Sequence, residues 1–324
     1  MLSIVIPIHN EEHSILPLYD RLSVVLETVH RPYEILFIDD ASTDRSFELL
    51  ANLVETDGHL KVIRLRRNFG QTAALSAGFH EAKGDIVIAM DGDLQHDPDD
   101  IPAFIAKINE GYDIVSGWRK VRIDNLVMRR IPSRCANWLM SKLSGVNLHD
   151  FGTTYKAYRR ELIDQVPLYG EGMHRFIPAL ASWYGARICE IPIKNINRDK
   201  GKSHYGITRT FRVFFDLITI RFLLKYLSRP LHFFGTLGMA GIFGGSAIAV
   251  WMMALKVFFH ANVMDQHGPL LILAAVMIVA GVQLLAFGLL GELQVRQFQE
   301  ASAGAPYRVE KVIRAAGSER ELQN

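Results

Sequence analysis

Two long uncharged stretches near the C-terminus constrain this chain more than any other feature. Phe233 to Leu255 runs 23 residues without a formal charge, and Pro269 to Leu290 runs another 22. As helices, at about 1.5 Å per residue, they reach roughly 33 to 34 Å, enough to cross a hydrocarbon core ~30 Å thick. The connector at 259–268 contains no Lys or Arg, and only Lys256 lies near it. Arg221, Lys225 and Arg229 precede the first stretch, and Arg296, Arg308, Lys311 and Arg314 follow the second. The positive-inside rule then predicts a transmembrane hairpin with both termini in the cytoplasm. Buried core helices are the competing reading, which two adjacent uncharged stretches of this length disfavour. Segment 207–225 mixes large apolar groups with spaced cations, as an amphipathic helix in the membrane interface or one packed on a globular domain would. Gly235, Gly238, Gly241 and Gly245 predict close helix packing, within the hairpin or between subunits of a dimer or tetramer.

The N-terminal two-thirds alternates strand and helix patterns. Strands are predicted at Leu2 to Pro7, Glu34 to Asp39, Lys61 to Leu65, Asp85 to Met90 and Asp113 to Ser116, with amphipathic stretches such as Ser14 to Val29 and Arg45 to Val54 between them. Short β-branched runs separated by helices predict an α/β fold with a mostly parallel sheet covered on both faces.

With 36 basic and 34 acidic residues the net charge is only +2, which gives no nucleic-acid signature. The cations are unevenly placed, however. Arg119, Lys120, Arg122, Arg129, Arg130 and Arg134 form one cluster, and Lys194, Arg198, Lys200, Lys202, Arg209 and Arg212 form another. Either is a solvated surface or a set of phosphate ligands. The two cysteines, Cys135 and Cys189, have no metal-like spacing and read as free thiols, and none of the 12 histidines has zinc-site spacing. A strand at the very start leaves no room for a signal peptide in this reading.

The fourth strand, Ile86 to Met90, runs into Asp91-Gly92-Asp93-Leu94-Gln95. Open α/β sheets bind ligands at the carboxyl ends of their strands, and two hard carboxylates there suit Mg²⁺ or Mn²⁺ holding the diphosphate of a nucleotide-sugar. Alone the pattern is weak, because Asp97-Pro98-Asp99-Asp100 just beyond it reads as an ordinary helix start. The first strand ends Pro7-Ile8-His9-Asn10-Glu11-Glu12 and the second Asp39-Asp40-Ala41-Ser42-Thr43-Asp44, so three strands bring polar groups to one rim. Ser42 or Thr43 as a helix cap is the plainer alternative. No Gly-x-Gly-x-x-Gly follows the first strand, which argues against a dinucleotide fold. Arg67-Asn68-Phe69-Gly70 reads as a turn before a helix starting near Gln71, and His174, Trp183 and Tyr184 as packing or surface residues.

These four motifs in this order resemble glycosyltransferase family 2 with a GT-A fold, and more narrowly its polyprenyl-phosphate glycosyltransferases. The likeness extends through Arg198-Asp199-Lys200-Gly201-Lys202-Ser203 and both C-terminal stretches, so it covers nearly the whole chain. It implies a catalytic domain at 1–205, an amphipathic segment at 206–230, a transmembrane hairpin at 231–292 with spans near 233–256 and 269–291, and a cytoplasmic tail at 293–324. It implies that Pro7, Asn10, Glu11, Asp39 and Asp40 surround the nucleoside and that Asp91, Asp93 and Gln95 hold the divalent metal. Arg119, Arg129, Ser133 and Arg134 fall at acceptor-phosphate positions, and Arg198, Lys202, Ser203 and His204 on a loop over the donor diphosphate. Pro132 at a helix start would leave the N–H groups of Ser133 and Arg134 free for an anion. The family's loop often reads Ser-Lys-Tyr where this chain has Ser203-His204-Tyr205, and Gly92 stands where alanine is common.

A lipid phosphate monoester, with a second pKa near ~6, is largely a dianion at neutral pH and needs no general base. It needs cations: like charges ~4 Å apart repel by about 4 kcal/mol at an effective dielectric of ~20. Asp150, which the resemblance places where a base is often invoked, therefore reads as a positioning group, with a turn aspartate before Gly152 as the alternative. The expected activity is inverting transfer of one sugar to a polyprenyl phosphate, undecaprenyl phosphate by resemblance to bacterial members, at a bacterial plasma membrane. The competing readings are a processive polysaccharide synthase, disfavoured because no Arg-Trp pair occurs, and a non-catalytic nucleotide-sugar-binding scaffold.

Overall fold

The computed structural model describes residues 1–120, 141–142, 145–164, 166, 168, 172–194, 196, 230–259, 263–301 and 307–314. Arg129, Ser133, Arg134, Arg198, Lys202, Ser203, His204 and segment 207–225 lie outside them. The chain forms two compact units, one of 1–217 with 305–324 and one of 218–304.

The first unit is built on an eight-stranded sheet of order β7-β5-β6-β4-β1-β2-β3-β8. Its strands are β1 (Leu2–Ile8), β2 (Tyr33–Asp39), β3 (Leu60–Leu65), β4 (Ile86–Ala89), β5 (Ile114–Trp118), β6 (Lys156–Arg159), β7 (Ile188–Pro192) and β8 (Val309–Arg314). The first five match the predicted strands to within a few residues. Four neighbouring pairs run parallel and three antiparallel, because β6 opposes β4 and β5 while β8 opposes β3. The 293–324 segment, expected as a tail, thus contributes β8, which covers the otherwise open edge of β3.

Helices α1 (Ile15–Thr28), α2 (Ser46–Thr56) and α4 (Ile101–Asn109) cover one face, where Leu18, Leu22, Leu50, Phe104 and Ile108 join the buried residues of β1 and β2. Helix α3 (Gln71–Glu81) covers the other with Ala74, Leu75, Ala77 and Phe79. It lies so close that a Cβ on Gly78 would sit 2.3 Å from Val5 Cγ1. Strands buried on both faces explain why their sequences read as continuous apolar runs rather than as alternations. Asp97 accepts the Asp99 N–H at 3.1 Å ahead of a short turn begun by Pro98, the predicted helix start.

The second unit is a pair of helices, α5 (Pro230–Phe259) and α6 (Val263–Ala301). Leu231–Phe258 and His267–Gln294, 28 residues each, are long and apolar enough to cross a membrane. Large apolar side chains point outward: Phe243 is 65% exposed, Val250 69% and Ile272 67%, a surface suited to lipid. Non-helical backbone at His267 kinks α6, and Pro269 lies just beyond. The glycines serve the contact inside the hairpin. A Cβ on Gly238 would lie 2.6 Å from the Gly281 carbonyl oxygen, and one on Gly245 2.7 Å from that of Ala274.

Candidate active site

The loops after β1 and β2 are knitted together at the carboxyl end of the sheet. Asn10, held at φ 55°, donates its N–H to Ser42 Oγ at 3.0 Å, and its Oδ1 accepts from Thr43 N–H at 2.8 Å. Glu11 N–H donates to Ser46 Oγ at 2.9 Å, and Pro7 is half-buried beside them. Ser42 and Thr43, for which a helix cap is the plainer alternative in the sequence, bind the β1 loop.

Asp39 and Asp40 behave differently although adjacent. Asp39 is fully buried; Oδ1 accepts Ser42 N–H at 3.1 Å, while Oδ2 lies 3.4 Å from Arg64 Nε and has no hydrogen-bond partner. Burial raises its pKa against the lowering effect of Ser42 and Arg64. Asp40 accepts Phe69 N–H at 2.7 Å on one oxygen and Gly70 N–H at 2.8 Å on the other. It anchors the Arg67–Gly70 turn, where Gly70 takes φ 89° just before α3 begins.

That turn aims the first residue of α3 into the site. Gln71 Nε2 donates to Asp91 Oδ1 at 2.6 Å and to Thr154 Oγ1 at 3.2 Å. Asp91 and Asp93 are both half-buried. The Asp91 N–H donates to Nδ1 of the buried His96 at 3.2 Å, and Gln95 N–H to Asp93 Oδ1 at 3.1 Å. Burial lowers the His96 pKa, so a neutral ring accepts this bond. Leu94 at φ 62° lets the turn close. Among the described residues no group of three or more His, Cys, Asp or Glu forms a metal cage. A two-carboxylate set of hard oxygens still fits Mg²⁺ or Mn²⁺, which commonly take one or two protein carboxylates and fill the rest with water and substrate phosphate.

On the opposite side of β4, Arg119 grips Asp150 bidentately, Nε to Oδ2 at 2.7 Å and Nη2 to Oδ1 at 3.1 Å. Asp150 is buried, whereas the Arg119 side chain is 23% exposed. Trp118 stacks on His149 at 4.4 Å, and Lys120 lies over the indole. Lys194 lies near the acids at the start of α4, 3.8 Å from Asp97 and 4.0 Å from Asp99.

Sequence reasoning missed three contributors. Gln71 was visible as a helix start and as the end of the Arg67–Gln71 motif, without a role, and His96 only as the residue after the Asp-x-Asp motif. Lys156 is a fully buried lysine in β6, opposite Ala89 of β4 and Ser116 of β5. Burial depresses its pKa to about 7. A charge inside an apolar strand pattern, Tyr155-Lys156-Ala157-Tyr158, is the signal that could have flagged it.

An open sheet whose first two strands meet an Asp-x-Asp strand at one rim is the GT-A arrangement of nucleotide-sugar glycosyltransferases. The chain belongs to glycosyl transferase family 2, whose model matches residues 3–166. It is 39% identical over 316 residues to dodecaprenyl-phosphate galacturonate synthase of Rhizobium johnstonii, covering 96% of this chain and 93% of that one. It is 36% identical over 319 residues to undecaprenyl-phosphate 4-deoxy-4-formamido-L-arabinose transferase of Pseudomonas paraeruginosa, covering 98% and 92%. In fold it is similar to glucosyl-3-phosphoglycerate synthase from Mycobacterium tuberculosis, solved with Mn²⁺, UDP and phosphoglyceric acid. That likeness has a TM-score of 0.54 at 18% identity over 68% of this chain and 78% of that one.

Proposed function

We propose that this protein transfers one sugar from a UDP- or GDP-sugar to a polyprenyl phosphate, undecaprenyl phosphate in a bacterial plasma membrane, with inversion at the anomeric carbon. The observation that carries this reading is the juxtaposition of two sites on one rim. The Asp91–Asp93 turn lies at the end of β4, and the Arg119–Asp150 pair lies beyond β5 and β6. Full-length similarity to two transferases named for polyprenyl phosphates supports the same acceptor class.

Asp39, buried and paired with Arg64, lies behind the nucleoside site, with Pro7, Asn10 and Glu11 walling the nucleoside and Asp40 shaping the turn beside it. Asp91 and Asp93, with Gln95 beside them, would hold Mg²⁺ or Mn²⁺, which offsets diphosphate charge and stabilises the leaving nucleoside diphosphate. Arg119 presents a cation to the acceptor phosphate, joined by Arg129, Ser133 and Arg134 in this reading. Arg198, Lys202, Ser203 and His204 close over the donor. Because Asp150 spends both oxygens on Arg119, its role is to aim that guanidinium rather than to take a proton. The phosphate dianion attacks the anomeric carbon directly from the face opposite the leaving group.

Two spans return both ends of the hairpin to one side of the membrane, the cytoplasmic side by its flanking cations in this reading. Replacing Asp93 by asparagine in the detergent-purified protein tests the reading. Loss of lipid-linked sugar with an unchanged unfolding midpoint is expected; undiminished product would refute it, and the scaffold reading predicts no product from wild type either.

A further inference from the structure

Asp150 can aim Arg119 only if the backbone that carries it is fixed, and that backbone has no regular structure of its own. Residues 149–155 contain no helix or strand, yet Asp150, Thr153, Thr154 and Tyr155 are all buried. Two side chains, from the strands on either side of β5, hold this loop by its peptide groups. Glu190 of β7 accepts from above: Oε1 takes the N–H of His149 at 3.0 Å and of Asp150 at 3.0 Å, and Oε2 lies 2.8 Å from His149 Nδ1. Its side chain is only 9% exposed. Lys156 of β6 donates from Nζ to the carbonyl oxygens of Phe151, at 3.3 Å, and Thr153. Glu190 thus collects the N–H groups of His149 and Asp150, and Lys156 the carbonyls of Phe151 and Thr153.

We infer that Glu190 and Lys156 are positioning residues for the acceptor phosphate, acting through the Asp150–Arg119 pair. The inference rests on the proposed role of Arg119 as an acceptor ligand. A buried polar or charged group is costly unless it is hydrogen-bonded, and the partners that satisfy Glu190 and Lys156 are mostly peptide groups of this one loop, so side chains and loop hold each other in place. Charge-assisted bonds of this kind fix a peptide more firmly than neutral ones. Both residues lie on sheet strands, the rigid part of the unit, whereas the loop has no regular structure of its own.

Glu190→Ala removes the anion, and Glu190→Gln keeps one carbonyl oxygen able to take both N–H groups at the Oε1 position. In the full-length protein in detergent, Glu190→Ala is expected to raise the KM for undecaprenyl phosphate at least tenfold, with the donor KM within twofold of wild type. Glu190→Gln should recover most of the loss, to within about threefold. Lys156→Met should follow Glu190→Ala. An acceptor KM within twofold of wild type in Glu190→Ala, or an equal rise in the donor KM, overturns the inference. Amide hydrogen exchange provides a second readout that does not depend on turnover. Exchange in 149–155 should quicken at least tenfold in Glu190→Ala while β1 and β4 stay unchanged, and unchanged exchange in the loop overturns the inference. A wild type that makes no product would refute the transferase reading alone, leaving exchange to decide whether Glu190 fixes the loop.

Discussion

Gln71 and Asp91 are joined by a 2.6 Å hydrogen bond from the amide to Oδ1, and the same amide reaches Thr154 Oγ1. The first residue of α3 therefore links the proposed metal carboxylate to the loop that carries Asp150. Groups that orient metal ligands typically cost 10- to 100-fold in affinity or activity when removed. Gln71→Ala is expected to lower kcat by about 10-fold or more and to raise the Mn²⁺ concentration for half-maximal activity. Metal titration of the initial rate checks this, and a variant within twofold of wild type on both would contradict it.

Gly92 has little room for a methyl group. A Cβ there would sit 2.3 Å from Ile8 Cδ1 and 3.3 Å from the Pro7 carbonyl oxygen. Alanine is common at this position in the family, but in this chain its fit depends on Ile8. Gly92→Ala alone should cost about 1–2 kcal/mol as overpacking. Ile8→Val, which removes the clashing methyl, should recover most of that loss in the double variant, as neighbours in contact are non-additive. Denaturant unfolding of the four proteins measures the coupling.

His174 is buried, with Nδ1 2.9 Å from Thr72 Oγ1, and burial pushes its pKa down to about 3. Its ordinary value is 6.5, so between pH 6.5 and 3 the unfolded chain binds a proton that the folded chain refuses. Stability from this residue is therefore full above pH 6.5 and is lost as pH falls toward 3. His174→Gln, which keeps a partner for Thr72, should lose less stability than wild type between pH 7 and 5. Parallel pH profiles of the unfolding midpoint would contradict this.

In the hairpin, glycines close together in sequence should differ in tolerance. A Cβ at Gly238 meets backbone at 2.6 Å, whereas one at Gly235 finds side-chain atoms no nearer than 3.7 Å. Gly238→Ala should lower the unfolding midpoint in detergent, and Gly235→Ala should leave it within error of wild type. Equal behaviour of the two would mean that the helices do not cross where Gly238 faces Gly281.

Strands β1 to β5 were legible because each is a short apolar run closed by polar residues, and the Asp-x-Asp turn because it ends one of them. β6 was not, since its four residues, Lys156 to Arg159, mix buried apolar groups with two charges. β8 was hidden for another reason. Val309-Glu310-Lys311-Val312-Ile313-Arg314 is a weak strand pattern whose partner lies far back in the chain, beyond both hydrophobic spans. The site residues divide along the same line. Asp91, Asp93, Arg119 and Asp150 are in recognisable motifs, but the bidentate Arg119–Asp150 contact joins segments 31 residues apart. Glu190 reaches Asp150 N–H across 40 residues, a contact to backbone that leaves no mark in the pattern of side chains.

The most direct test of the account is the mass of what the purified protein makes. It would be incubated in detergent with undecaprenyl phosphate, Mg²⁺ or Mn²⁺, and a panel of UDP- and GDP-sugars, and the lipid fraction read by mass spectrometry. The account predicts one undecaprenyl-phosphate monosaccharide from one donor, absent when the metal is chelated. A ladder of lengthening glycans, or no lipid-linked sugar from any donor while nucleotide still binds, would contradict it.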